Sequence, residues 1–131
     1  MDLSHIPNLH VFAISALIGF DAQEPVVLRD INVVLSTIPK DNLVTKLSLD
    51  FTINGEYPFD RCLEEDWAGM CDVVVRISAG KVLKFNLEIS ICPSQSPPPG
   101  RDDKLLKDIK EKVASLSNYS NICTEVWQSP F

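Results

Sequence analysis

The densest carboxylate cluster in the chain is Glu64-Glu65-Asp66, a run that in principle offers acid–base or metal chemistry. Consecutive residues of a helix point about 100° apart, so these three do not converge on one ion, and the run is expected to be the solvated start of a helix. His5 and His10 are the groups that titrate near neutrality without help, but they lie near the start of the chain with no Ser or Cys in a recognisable elbow. Cys62, Cys71, Cys92 and Cys123 form no CxxC and have no histidine nearby, so the spacing for zinc or thioredoxin-type chemistry is missing. Gly19, Gly55, Gly69, Gly80 and Gly100 are isolated, which encodes no phosphate-binding loop. No catalytic residue, metal ligand or cofactor site is therefore expected. The groups that remain for recognition are Lys46, Ser48, Asp50, Lys84, Asn86 and Glu88, which alternate with apolar residues in two similar segments, together with Trp127 near the end of the chain.

These residues need elements to carry them. The segment Leu9 to Ile18 is apolar and rich in strand formers, and Gly19 with Asp21 marks a turn after it. From Pro25, the residues Val27, Leu28, Ile31, Val34, Leu35 and Ile38 recur at three and four, the helical period, until Pro39 stops them. Leu47, Leu49, Phe51 and Ile53 alternate with Lys46, Ser48, Asp50 and Thr52, the pattern of a half-buried strand ending at Asn54-Gly55. A second helical stripe is expected through Phe59, Leu63, Trp67, Met70, Val74 and Ile77, terminated by Gly80, with Cys62 and Cys71 on opposite faces of it. Leu83, Phe85, Leu87, Ile89 and Ile91 then alternate with polar residues as a third strand. Pro93 to Gly100, with three consecutive prolines, reads as a stiff exposed loop. A third helix buries Leu105, Leu106, Ile109, Val113 and Leu116 while its lysines, interleaved with Asp108 and Glu111, face solvent, and Ile122 to Trp127 forms a fourth strand.

The order β-α-β-α-β-α-β implies a mostly parallel four-stranded sheet. Parallel strands covered on both faces read as continuous apolar runs, whereas the second and third strands are polar on alternate positions, so the helices belong on one face. The expected fold is α/β: a two-layer β-α repeat, leucine-rich-repeat-like in organisation, forming a single domain over 1–131. Ile14, Leu49 and Leu87 mark a repeat of 35 and then 38 residues. That offset sets Lys46 against Lys84, Ser48 against Asn86, Asp50 against Glu88 and Thr52 against Ser90. Like charges side by side are unfavourable, so diagonal lysine–acid pairs or a one-step register shift are expected. The first strand has almost no charge and is expected in the middle of the sheet or in an interface. Cys92 and Cys123 fall near neighbouring strands, close enough for a disulfide if the chain is exported by an unconventional route, and are otherwise free thiols.

The chain has 131 residues, 45% hydrophobic and 23% charged, with 18 acidic against 12 basic side chains and a net charge of −6. A negative chain disfavours phosphate backbones and anionic membranes, so neither nucleic acid nor membrane is expected as a partner. The opening residues carry no basic region of a secretory signal, which points to a cytoplasmic location. Asn118-Tyr119-Ser120 matches a glycosylation acceptor and has no expected use there.

The segments Leu28 to Pro39, Leu47 to Phe51 and Asp66 to Asp72 resemble the leucine-rich-repeat-like C-terminal region of basidiomycete (mushroom) F-box proteins, and the similarity spans roughly Leu9 to Trp127. The resemblance implies a repeat array with a ligand-facing sheet and no catalytic motif. The chain shows no separate F-box ahead of the repeats, so the adaptor half of a ubiquitin-ligase subunit is not implied. The expected function is a non-enzymatic recognition module that binds a protein partner through its polar sheet face. The alternative is a small fungal defence lectin in which Asp50, Asn86, Glu88 and Trp127 hold a glycan, strengthened by a homodimer formed through an edge strand.

Overall fold

The computed structural model describes residues 3–4, 8–18, 26–55, 59–92 and 100–129. Along them the chain forms β1 (Val11–Ile18), α1 (Val27–Leu35), β2 (Lys46–Ile53), α2 (Phe59–Leu63), α3 (Trp67–Ser78), β3 (Leu83–Ile91), α4 (Arg101–Lys112), a short 3-10 turn (Ala114–Asn118) and β4 (Ile122–Gln128). The four strands are all parallel and lie in the order β1-β2-β3-β4. Because every step goes the same way and crossovers are right-handed, all the helices fall on one face. The α/β two-layer repeat read from the sequence is the observed fold. His5, the turn at Gly19 and Asp21 and the proline segment 93–99 lie outside the described residues.

Alternation decides which face is core. Leu47, Leu49, Phe51 and Ile53 of β2 and Leu83, Phe85, Leu87 and Ile89 of β3 are completely buried under the helices, and their polar neighbours point the other way. Each such burial contributes roughly 1.5–3 kcal/mol. Trp67 meets Phe51 edge-on, ring centroids 6.0 Å apart at 77°, and donates its indole N–H to the Cys62 carbonyl at 3.1 Å. Trp67 and Met70 are thus core, as their place on the helical stripe requires.

Four expectations are corrected. The second helical stripe is two helices, α2 and α3, broken at Glu64–Asp66. Asp66 caps α3, its Oδ1 accepting the Gly69 N–H at 2.9 Å; a Cβ at Gly69 would collide with the Asp66 carboxylate, so glycine there keeps the cap in place. Glu65 is not solvated but 5% exposed, and it turns inward to α1. The uncharged first strand is an edge strand, not a central one. Finally, Cys92 follows the C-terminal end of β3 while Cys123 sits level with Lys84 at the other end. Eight residues at about 3.3 Å each separate them by roughly 26 Å, which rules out a disulfide. All four thiols are free.

The break in the second stripe ties the helical layer together. α1 starts at Val26-Val27 with no side-chain cap of its own. The Glu65 carboxylate supplies one, accepting the Leu28 N–H at 2.6 Å and a further bond from Val27. Asn32 on α1 donates to the Asp66 carbonyl at 3.3 Å. At the other end of α3, Ala79 takes a left-handed conformation (φ 47°) followed by Gly80 (φ 81°). Lys81 then folds its ammonium back onto the Ile77 carbonyl at 2.6 Å and Asn42 Oδ1 at 2.9 Å. A cation on the last carbonyls of a helix complements its dipole.

Candidate functional site

The face of the sheet opposite the helices is uncovered by any described element, and its side chains fall into level rows. The strand pairing places Val11, Lys46, Lys84 and Cys123 in the first row, and Ala13, Ser48, Asn86 and Glu125 in the second. Ser15, Asp50, Glu88 and Trp127 make the third, and Leu17, Thr52 and Ser90 the fourth. The 38-residue offset between β2 and β3 is therefore the observed register. Six of the seven residues singled out from the sequence lie on these two central strands. The seventh, Trp127, completes their third row from β4.

Chemistry differs across the face. β1 contributes aliphatic groups, with Val11 and Leu17 more than half exposed. The two central strands contribute amide, hydroxyl and charged groups. β4 contributes Glu125 and the Trp127 indole, which is 41% exposed and donates Nε1–H to Asn86 Oδ1 at 2.8 Å. That bond runs diagonally, from the third row to the second, and fixes the indole against β3.

The like charges stay adjacent. Asp50 is level with Glu88 on strands about 4.8 Å apart, and Lys46 is level with Lys84. Among the described residues no ion pair joins either lysine to either acid, so the expected diagonal pairs and shifted register are not formed. The physical reason is the core: a one-residue slip would turn Leu47, Leu49, Phe51 and Ile53 outward, a far larger cost than two like charges side by side on the open face. The tension remains on Asp50. Partial burial first, and the Glu88 charge second, push its carboxyl above the ordinary carboxylate value, and its Oδ1 is shut off from solvent with no hydrogen-bond partner.

What this face can do is hold a ligand by surface complementarity. Among the described residues no group of three His, Cys, Asp or Glu side chains is placed to hold a metal ion. The hydroxyls of Ser15, Ser48, Thr52 and Ser90 share these rows with acids, amides and lysines, and no histidine stands among them. Burial, reinforced by Glu65, pushes the Cys62 thiol to about 12, and burial also raises Cys71, which makes both poor nucleophiles. No described helix is long and apolar enough to cross a membrane.

Sequence reasoning missed two features. One is the role of Glu65, whose only signal was that α1 begins without a capping residue. The other is an open groove of about 620 Å³ at the outer edge of β4, between that strand and the α4 end, lined by Lys110, Val113, Thr124, Val126 and Trp127 among others.

No protein-family model, curated protein or solved structure matches this chain.

Proposed function

We propose that the chain is a non-enzymatic recognition module that binds a protein partner across its open sheet face. The observation that carries the reading is the level third row, in which Asp50 and Glu88 stand side by side next to a Trp127 indole pinned by Asn86. Like charges held adjacent cost stability and contribute nothing to the core, which is the mark of groups kept for an external partner. A broad, uncovered sheet with an aromatic anchor at its margin suits a protein surface, and tryptophan is among the residues that dominate such interfaces. A partner with lysine or arginine side chains would meet the acids, and its apolar groups would meet Trp127. The reading extends the resemblance of Leu28–Pro39, Leu47–Phe51 and Asp66–Asp72 to the repeat region of F-box proteins, and a cytoplasmic location is part of the same proposal. No cofactor enters it.

The test is capture by the purified chain of partners from a cell extract, with Asp50→Lys/Glu88→Lys and Trp127→Ala alongside a Lys107→Glu control on the helical face. Partners lost with both open-face variants and kept by the control support the assignment. Partners retained by the open-face variants, or lost only with the control, overturn it.

A second reading rests on the same indole. An exposed tryptophan beside an amide and carboxylates is also the chemistry that stacks on and hydrogen-bonds a sugar ring, so a glycan array probed with wild type and Trp127→Ala distinguishes the lectin reading. Binding that disappears with Trp127→Ala would favour it.

A further inference from the structure

The outer edges of β1 and β4 are complementary, and we propose that strand β1 of a second copy of this chain adds in parallel to β4, continuing the sheet from copy to copy. Backbone geometry comes first. Leu83 donates to the Asn121 carbonyl and Ser129 to the Ile89 carbonyl, so in the alternating parallel ladder the odd-numbered residues of β4 bond to β3. The N–H and C=O groups of Thr124, Val126 and Gln128 therefore point away from the sheet, with no partner among the described residues. At the opposite edge, Lys46 donates to His10 O and Asn54 to Ile18 O, which leaves Val11, Ala13, Ser15 and Leu17 with outward backbone groups. The two edges present the matched halves of one parallel ladder.

Side chains agree. The helix-side residues of β2 and β3 are buried, whereas Phe12, Ile14 and Ala16 of β1 and Thr124 and Val126 of β4 are partly exposed. Keeping the rows level sets Phe12 of the incoming strand beside Thr124, and Ile14 beside Val126. Both then enter the groove of about 620 Å³ over Val113. On the open face, Val11 meets Cys123, Ala13 meets Glu125 and Ser15 meets Trp127.

Charge selects this pairing over a symmetric one. β1 carries no charged residue and no proline, so it lacks the devices that block edge association, and it sets nothing against Glu125. A two-fold pairing centred on β4 would oppose Glu125 to Glu125. A two-fold pairing of β1 with β1 would leave the groove beyond β4 unfilled. A β4-to-β1 contact is head-to-tail and does not close on itself at two copies.

The experiment uses Val11→Cys in the full chain under mild copper-phenanthroline oxidation. Val11 is exposed, so the change spares the core, and within one copy it lies three strands, roughly 14 Å, from Cys123. The expected result is a non-reducing ladder of dimer, trimer and higher species that disappears in Val11→Cys/Cys123→Ser and is missing from wild type. Dimers that persist in Val11→Cys/Cys123→Ser would show β1 pairing with β1 and overturn the proposal. So would a mass of 14.6 kDa by light scattering for uncrosslinked wild type at every concentration up to millimolar. A second pair of variants tests direction: Ser15→Pro blocks only the β1 edge and Thr124→Pro only the β4 edge. Each alone, shown to be folded by circular dichroism, should be monomeric, and a mixture of the two should give one heterodimer. Self-association of either alone would overturn head-to-tail addition.

Discussion

Glu65 accepts the backbone N–H of Leu28 at 2.6 Å across 37 residues of sequence, so the helix that follows β1 is capped by the segment that follows β2. A carboxylate at a helix start is favoured by the dipole, but this one is almost wholly buried, and burial dominates: its carboxyl lies above the ordinary value of 4.5. The bond is at once a cap, a tie between two repeat units and a titrating group.

Glu65→Ala should leave the Val27 and Leu28 donors without acceptors in a dry site and cost about 1–3 kcal/mol in urea unfolding at neutral pH. Glu65→Gln keeps the acceptor oxygen and should cost clearly less. Equal losses would mean that the bond to Leu28 contributes nothing.

The pH dependence has a definite sign. Glu65 and Asp50 both have folded-state carboxyls raised above their ordinary values of 4.5 and 3.8. The folded chain therefore holds protons that the unfolded chain has released. Their contribution to stability is fully present below those ordinary values and declines as pH rises through the raised folded values. Denaturant titrations from pH 4 to pH 7 should show Glu65→Gln gaining on wild type as pH rises. A difference that stays flat or shrinks would contradict the raised value.

Asp50→Asn should raise the thermal midpoint at neutral pH, because it removes a partly buried charge beside Glu88, and the gain should fade toward pH 4 as the wild-type carboxyl is protonated. The same change should weaken partner binding. A variant that is more stable and less functional would identify the third row as a place where stability is given up for recognition.

Ala79 adopts φ 47° at the C-terminus of α3, a conformation that costs an L side chain roughly 1 kcal/mol. Ala79→Gly relieves that cost but also loosens the unfolded chain, so a net gain of about 0.5 kcal/mol is expected. Calorimetry showing a loss of stability would mean that the Ala79 methyl packs usefully.

Trp67 is buried and Trp127 is exposed, so the two report on different faces. Trp127→Phe should remove the red-shifted part of the fluorescence emission and most of its quenching by acrylamide, leaving a blue, protected signal from Trp67. A ligand of the open face should then perturb emission in wild type and not in the variant.

The pairing of Lys46 with Lys84 and of Asp50 with Glu88 was legible because β2 and β3 have the same period-two pattern, and burying Leu49 beside Leu87 admits one register. The break at Glu64–Asp66 was not legible: Leu63 and Trp67 are four apart, so the apolar stripe stays in phase across it, and periodicity does not register an interruption that preserves phase. The role of Glu65 depends on a donor 37 residues away, which no local pattern encodes. The edge position of β1 was hidden because Val11, Ala13 and Leu17 are apolar on a face that turns out to be open. The groove beside β4 arises from what does not lie over Thr124 and Val126, and a strand's own residues do not specify its missing cover.

The strand order β1-β2-β3-β4 also bears on how the chain acquires its structure. Ile14 pairs with Leu49, Leu49 with Leu87 and Leu87 with Val126, so every strand finds its partner a nearly constant distance along the chain and never has to wait for a distant segment. Each newly made strand has its docking edge already in place, and the helix between them is the part of the chain that closes the loop. Assembly can keep pace with synthesis from the N-terminus, one unit at a time, with the growing edge exposed at every stage until the next strand arrives.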